Sequence, residues 1–201
     1  MPRALIREAR AEQIIDKSRF IARLTPVADQ AGAEAGLRET RLLWPDARHY
    51  VYAWRLRAGE REKCSDDGEP RGTGGRPLLN LLQRAELWDA LAVVTRYFGG
   101  VLLGTGGLTR AYAGTAQLAL ARAETVLLRP HILYTLDLPY AAYEKTKRFL
   151  TALDAIIEKE EFTAGVTVAF ALPAEKADAW EKQAADWGGW AKSARGEEIM
   201  K

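Results

Sequence analysis

From Leu91 to Phe98 the chain reads Leu-Ala-Val-Val-Thr-Arg-Tyr-Phe, nearly continuous in apolar residues at first. A strand that is apolar on both faces is buried on both faces, so this segment belongs in the middle of a sheet. Gly99-Gly100 and Leu103-Gly104-Thr105-Gly106-Gly107 then interrupt it. Leu108, Ala111, Tyr112, Thr115, Leu118, Ala119 and Arg122 follow at helical spacing, and Arg129-Pro130 closes the unit.

Strands are expected over Ala4–Ile15 and Lys17–Thr25. Pro26 and Asp29 announce a helix carrying Ala33, Leu37 and Trp44, which Pro45 stops. His49–Leu56 alternates, with Tyr50, Tyr52 and Trp54 against Val51, Ala53 and Arg55, and reads as a strand. From Gly59 to Arg76 no apolar period survives, and the Gly and Pro density predicts a loop. A short helix fits Leu78–Arg84.

The remainder has another texture. His131–Leu138 alternates, Tyr143, Leu150 and Leu153 suit a helix, and Ala155–Phe162 and Val166–Leu172 read as strands. Ala177, Trp180, Ala184 and Trp187 fall on a second helix that Gly188-Gly189 ends, and Trp190–Arg195 fits a last strand. The order β-α-β-β-α-β is that of a ferredoxin-like domain. The sequence therefore predicts an α+β chain of two domains, 1–130 and 131–201.

Hydrophobic residues make up 48% of the 201, which is too many for disorder. The net charge is only +2, from 29 basic and 27 acidic residues, so no broad cationic field exists. Any nucleic-acid contact must come from a local set of arginines, and no DNA specificity is expected. Cys64 is the sole cysteine, which excludes an intrachain disulfide and fits a reducing compartment. The start, MPRALIREAR, lacks a signal peptide's apolar run, and no stretch is long and apolar enough for a membrane span. The expectation is a cytoplasmic protein without a membrane partner.

Nine of the 17 glycines lie between Glu60 and Tyr112. The cluster Gly99, Gly100, Gly104, Gly106 and Gly107 sits between a strand and a helix, where free amides and the helix dipole favour an anion. Arg96 precedes this turn, Arg110 follows it, and Thr105 suits a cap or a phosphate contact. Arg71 and Arg76 flank the earlier glycines. The alternative is that these glycines only make tight turns. Neither a Walker pattern nor G-x-G-x-x-G fits.

Asp66, Asp67 and Glu69 suit Mg²⁺ binding or acid–base work; they equally suit turn formation, or bonding to Arg71 or Arg76. Cys64 beside Lys63 reads either as a nucleophile or as a spare cysteine at a loop edge. With His49 and His131 the only histidines, a structural zinc site is excluded. His49 opens a strand among aromatics, in packing, in a backbone hydrogen bond or in a site. Trp180, Trp187 and Trp190 suit base stacking or core filling, and Lys145, Lys147 and Arg148 form a small basic spot.

Ser65-Asp66-Asp67-Gly68-Glu69-Pro70, Gly72-Thr73-Gly74-Gly75-Arg76-Pro77, Thr95-Arg96-Tyr97-Phe98-Gly99-Gly100 and Leu103-Gly104-Thr105-Gly106-Gly107-Leu108-Thr109-Arg110-Ala111-Tyr112 resemble, in this order, the YigZ/IMPACT family, as does Lys17-Ser18-Arg19-Phe20-Ile21-Ala22. That family's usual Ala is Gly74 here, which reads as a mild change, and its frequent Cys near the aromatic strand is absent from Tyr50-Val51-Tyr52. The resemblance implies a ribosomal-protein-S5-domain-2-like N-terminal domain with a left-handed β-α-β unit. It also implies a ferredoxin-like C-terminal domain similar to the last domain of elongation factor G. Eukaryotic relatives regulate translation under stress by competing for a partner of an initiation-factor kinase.

Two functions are expected in competition, beside a third reading as a pure protein-interaction module whose motif region is a rigid exposed surface with no anion site. One is a non-catalytic translation-associated regulator without a cofactor, contacting RNA phosphate, the ribosome or a translation-related protein through Arg71, Arg76, Arg96, Arg110 and the glycine amides. The other is a Mg²⁺-dependent enzyme acting on a phosphorylated small molecule through Asp66, Asp67 or Glu69. The first requires amides not already consumed internally and arginines turned toward them.

Overall fold

The computed structural model describes residues 1–187 and 192–201 in two compact units, Met1–Leu127 and Leu128–Lys201. Gly188, Gly189 and Trp190, read above as a helix stop and a strand start, lie outside the described residues.

The first unit runs β1 (Arg3–Leu5), β2 (Ala9–Ile15), β3 (Ser18–Pro26), α1 (Gln30–Leu43), β4 (His49–Leu56), β5 (Arg61–Ser65), α2 (Gly75–Arg84), β6 (Leu87–Trp88), β7 (Ala90–Tyr97), α3 (Gly104–Ala121) and β8 (Thr125–Leu127). Its main sheet is antiparallel, in the order β2-β3-β7-β4-β5. β7 is the middle strand, as its apolar run requires, and it feeds two cores. Ala92 and Val94 pack with Phe20, Val51, Leu78 and Tyr112 on the side of α2 and α3. Leu91 and Val93 pack with Val27, Ala33, Tyr50 and Trp54 on the side of α1. β4 divides its side chains the same way, following the alternation read from its sequence. β3 and β4 both run antiparallel to β7, so they are parallel to each other and α1 connects them. Asp29 caps α1, its carboxylate accepting from the Gly32 amide at 2.7 Å.

Three local readings need correction. The segment Ala4–Ile15 is two strands, because β1 leaves the main sheet to pair with β6 and β8. The expected loop Gly59–Arg76 contains β5. Among the described residues this strand pairs only with β4, and it exposes Arg61, Glu62 and Lys63, so it has no buried face to give it an apolar period. Last, Gly104–Gly107 are not a turn before α3 but its first turn. Thr105 therefore lies inside the helix and is not its cap.

The second unit runs β9 (Pro130–Leu138), α4 (Tyr140–Ala152), β10 (Ile156–Phe162), β11 (Val166–Pro173), a single 3₁₀ turn, α5 (Ala177–Ala185) and β12 (Lys192–Met200). The element order is the one expected, and the antiparallel sheet is ordered β10-β11-β9-β12. Its core gathers Ile132, Tyr134, Leu136, Leu138, Leu150, Phe170 and Trp180. Trp180 is fully buried with its ring edge-on to Phe170 at 5.0 Å, and Trp187 packs on it at 5.3 Å. These rings fill the core rather than offering a stacking platform.

Candidate anion site at the mouth of the third helix

The acidic loop Ser65–Pro70 is a strap tied down by three carboxylates, each to a different part of the unit. Asp66 closes the N-terminus of α2: Oδ1 accepts from the Gly74 and Gly75 amides at 2.9 and 2.8 Å, and Oδ2 from the Gly72 amide at 2.8 Å. Burial raises its pKa, but the three amides and nearby Arg71 outweigh burial and hold it below the ordinary aspartate value. Asp67 Oδ2 accepts from the Tyr50 amide at 2.6 Å and Oδ1 from Arg41 at 3.1 Å. Glu69 Oε1 accepts from Arg96 Nη1 and from the Tyr112 hydroxyl, both at 2.7 Å. Burial first, and then this bond to Glu69, pushes the Tyr112 phenol far above its usual range.

The three carboxylates diverge to separate partners and do not converge on a common point. Among the described residues no group of three or more His, Cys, Asp and Glu side chains is arranged to hold a metal ion. The loop ordering allowed by the sequence is present, but with amides, Arg41, Arg96 and Tyr112 as partners in place of Arg71 and Arg76.

The two glycine clusters separate at this point. The mouth of α2 already holds an anion, the chain's own Asp66. The mouth of α3 does not. No side chain caps α3, its first turn contains no acidic residue, and Gly104, Thr105 and Gly106 are exposed. The first amides of a helix have no partner within it, and they lie at the dipole's positive end. The Arg110 guanidinium lies over Gly106, where an added methyl would meet Nη1 at 3.5 Å.

Beside this mouth is a cleft of about 430 Å³, lined on its polar side by Arg48, His49, Glu69, Arg96 and Thr105. Phe98, Leu102, Leu103 and Leu108 form its apolar side. Arg96 is only 5% exposed and lies between the rings of Phe20 and Phe98, at 5.3 and 5.4 Å. Its Nη2 donates to Ser18 Oγ at 3.2 Å. His49 accepts or donates at Nδ1 opposite the Asp67 carbonyl, 2.7 Å away; a carbonyl only accepts, so Nδ1 carries the proton. Its Nε2 then faces Glu69 at 3.8 Å.

The expected anion ligands are therefore distributed unevenly. Arg96, Gly104 and Thr105 line the cleft, Gly106 and Gly107 continue the first turn of α3, and Arg110 covers that turn. Arg96 does not face outward as expected: its charge is committed to Glu69, because a guanidinium so deeply buried needs a carboxylate partner. Gly99 also offers no free donor, since its amide is taken by Ser18 Oγ at 3.1 Å. A Cβ there would sit 2.0 Å from the Lys17 carbonyl carbon, so close approach of two backbones explains that glycine. Gly100 is exposed, and Arg71 and Arg76 are exposed near the closed mouth of α2. Gly74 is not a mild replacement in this chain: a methyl there would meet buried Val51 Cγ1 at 2.6 Å. Arg48 is the charged lining residue that sequence reasoning missed, because a single exposed arginine before a strand carries no periodic signal. Cys64 is half-buried, and burial, aided by Asp66, pushes its thiol pKa up, away from nucleophile chemistry.

This unit defines the class of the protein. Residues 16–120 match the Impact N-terminal domain, and residues 136–189 match a domain of unknown function, DUF1949. The chain is 38% identical over 176 residues to the IMPACT family member YigZ of Escherichia coli, covering 86% of each chain. It is 39% identical over 160 residues to an IMPACT family member of Thermus thermophilus, covering 80% of this chain and 87% of that one. A crystal structure of a hypothetical protein is similar at 34% identity with a TM-score of 0.72, covering 97% of each chain. The chain belongs to the YigZ/IMPACT family.

Proposed function

We propose that the protein is a non-catalytic, translation-associated regulator that docks RNA phosphate at the mouth of α3. The open first turn of α3, with Arg110 over it and Arg48 at the adjoining cleft, carries this reading. Family membership supports the link to translation, since eukaryotic relatives regulate it. The fold assignments belong to the same proposal. The β3-α1-β4 crossover supports the S5-domain-2-like assignment of the first unit. The antiparallel order β10-β11-β9-β12 supports the ferredoxin-like, elongation-factor-G-like assignment of the second. Few phosphates are neutralised at such a site, so binding is modest and weakens with salt.

Gly106→Asp tests the site without disturbing the core. The new Cβ meets only the end of the Arg110 side chain, at 3.5 Å. An aspartate in the first helical turn adds about 0.3–1 kcal/mol of favourable dipole interaction. Replacing glycine inside the helix adds a similar amount. The expected outcome is an unchanged or raised melting temperature, with RNA and ribosome binding at low salt reduced about tenfold or more. Binding equal to that of the parent across a salt series would remove the site.

A further inference from the structure

We infer that the cleft beside α3 recognises a terminal phosphate monoester attached to a planar base, rather than an internal phosphodiester. The inference rests on the phosphate-docking reading and sharpens it. Three observations besides the helix mouth point to a ligand of this kind. First, Arg96 forms part of the cleft wall, is 5% exposed, and its Nε is a buried donor without an acceptor. Glu69 and Ser18 satisfy the other guanidinium nitrogens, so the cleft wall holds a buried cation that the surrounding protein groups leave incompletely answered.

Second, the polar wall is net positive. Arg48 and Arg96 face it with Glu69 as the one carboxylate, and Glu69 is already shared between Arg96 and Tyr112. His49 lines the same space, with Nδ1 tied to the Asp67 carbonyl and Nε2 left on the cleft side. A monoester carries about −1.5 to −2 charges against one for a diester, so it gains more from this wall and from the α3 dipole.

Third, the opposite wall is apolar and open. Phe98 is 43% and Leu102 88% exposed, which leaves apolar ring and isobutyl surface open beside the amides of the α3 mouth. A flat base laid on Phe98 and Leu102 covers this surface while its phosphate reaches Gly104–Gly106. A cleft of about 430 Å³ admits one nucleotide and no helix of nucleic acid.

Such a group has two sources, a free mononucleotide and the 5′-phosphorylated end of an RNA. The full chain is titrated with adenosine 5′-monophosphate, with adenosine, and with one short single-stranded RNA carrying either a 5′-phosphate or a 5′-hydroxyl. The 5′-phosphate is expected to strengthen binding about tenfold or more, in the nucleoside, the oligomer or both. Binding of the monophosphate alone assigns a free nucleotide, and of the 5′-phosphorylated oligomer alone an RNA end. Arg48→Ala and Leu102→Asp, both at exposed positions, are expected to weaken that binding about fivefold or more. Equal binding of phosphorylated and unphosphorylated forms overturns the inference. If the 5′-hydroxyl RNA binds as well and Gly106→Asp abolishes that binding, the docking of internal phosphates stands while the monoester cleft falls. If only the monophosphate binds, the cleft stands and RNA docking falls; silence from every probe removes both.

Discussion

Glu69→Ala is expected to destabilise the N-terminal unit by about 3–5 kcal/mol, the usual cost of removing one partner from a buried ion pair. The substitution leaves Arg96 charged inside the sheet, with only the Ser18 hydroxyl at 3.2 Å as a hydrogen-bond acceptor. It also takes the acceptor from the Tyr112 hydroxyl, whose residue has no solvent exposure. Glu69→Gln keeps an acceptor for each donor in turn and should lose clearly less. The pairing itself is isolated by adding Arg96→Met to Glu69→Ala: with both charges gone, most of the lost stability returns. Urea unfolding of the full chain, following the transition of the N-terminal unit, reads all four variants. A loss below about 1 kcal/mol in Glu69→Ala would mean that Arg96 finds water or another acceptor at no cost.

The second large effect is expected at Asp66. Asp66→Ala removes the acceptor of three amides at the mouth of α2 and should cost about 2–4 kcal/mol, between the loss of one cap and of several satisfied donors. It also frees the strap that places Glu69 and Pro70 on the cleft wall, so ligand binding at α3 should weaken with it. The pH dependence has a definite sign. The pKa of Asp66 is lower in the folded chain than in the unfolded one, so its ionised form is preferred by the fold. Its contribution is fully present above the unfolded aspartate value, about 3.9, and is lost as pH falls below that through the folded value. Asp66→Asn keeps a carbonyl acceptor but cannot ionise, so its stability should change less than the parent's over that acid range. Identical acid profiles for Asp66→Asn and the parent would show that the amides do not favour the charged form.

Much of the architecture is legible in the chain because its buried strands state their surroundings. β7 is apolar on both faces since it lies between two cores, and β4 alternates since it does the same with larger and smaller residues. β5 is silent for the opposite reason: an edge strand exposed on both faces has nothing to alternate. The glycine clusters were visible as places where backbone and partner come close. Which cluster is open and which is closed was not, because the closing group of α2 is Asp66, eight and nine positions from the amides of Gly74 and Gly75. Arg96 shows the same limit. Next to a glycine turn it reads as an outward cation, but it is the central strand that carries it, and burial on that strand sets its partner. Arg48 and His49 join the cleft through the pairing of β4 with β7, His49 opposite Arg96, a register that spacing along the chain does not encode.

An anion site at α3 requires that the backbone amides of its first turn, and not those at the mouth of α2, meet the anion. In an ¹⁵N-labelled sample titrated with inorganic phosphate, the amide resonances of Gly104, Thr105 and Gly106 should move most. Those of Gly72, Gly74 and Gly75, already held by Asp66, should stay in place. Movement confined to the second group, or none in either up to concentrations that saturate ordinary phosphate sites, would contradict the placement of the site at α3.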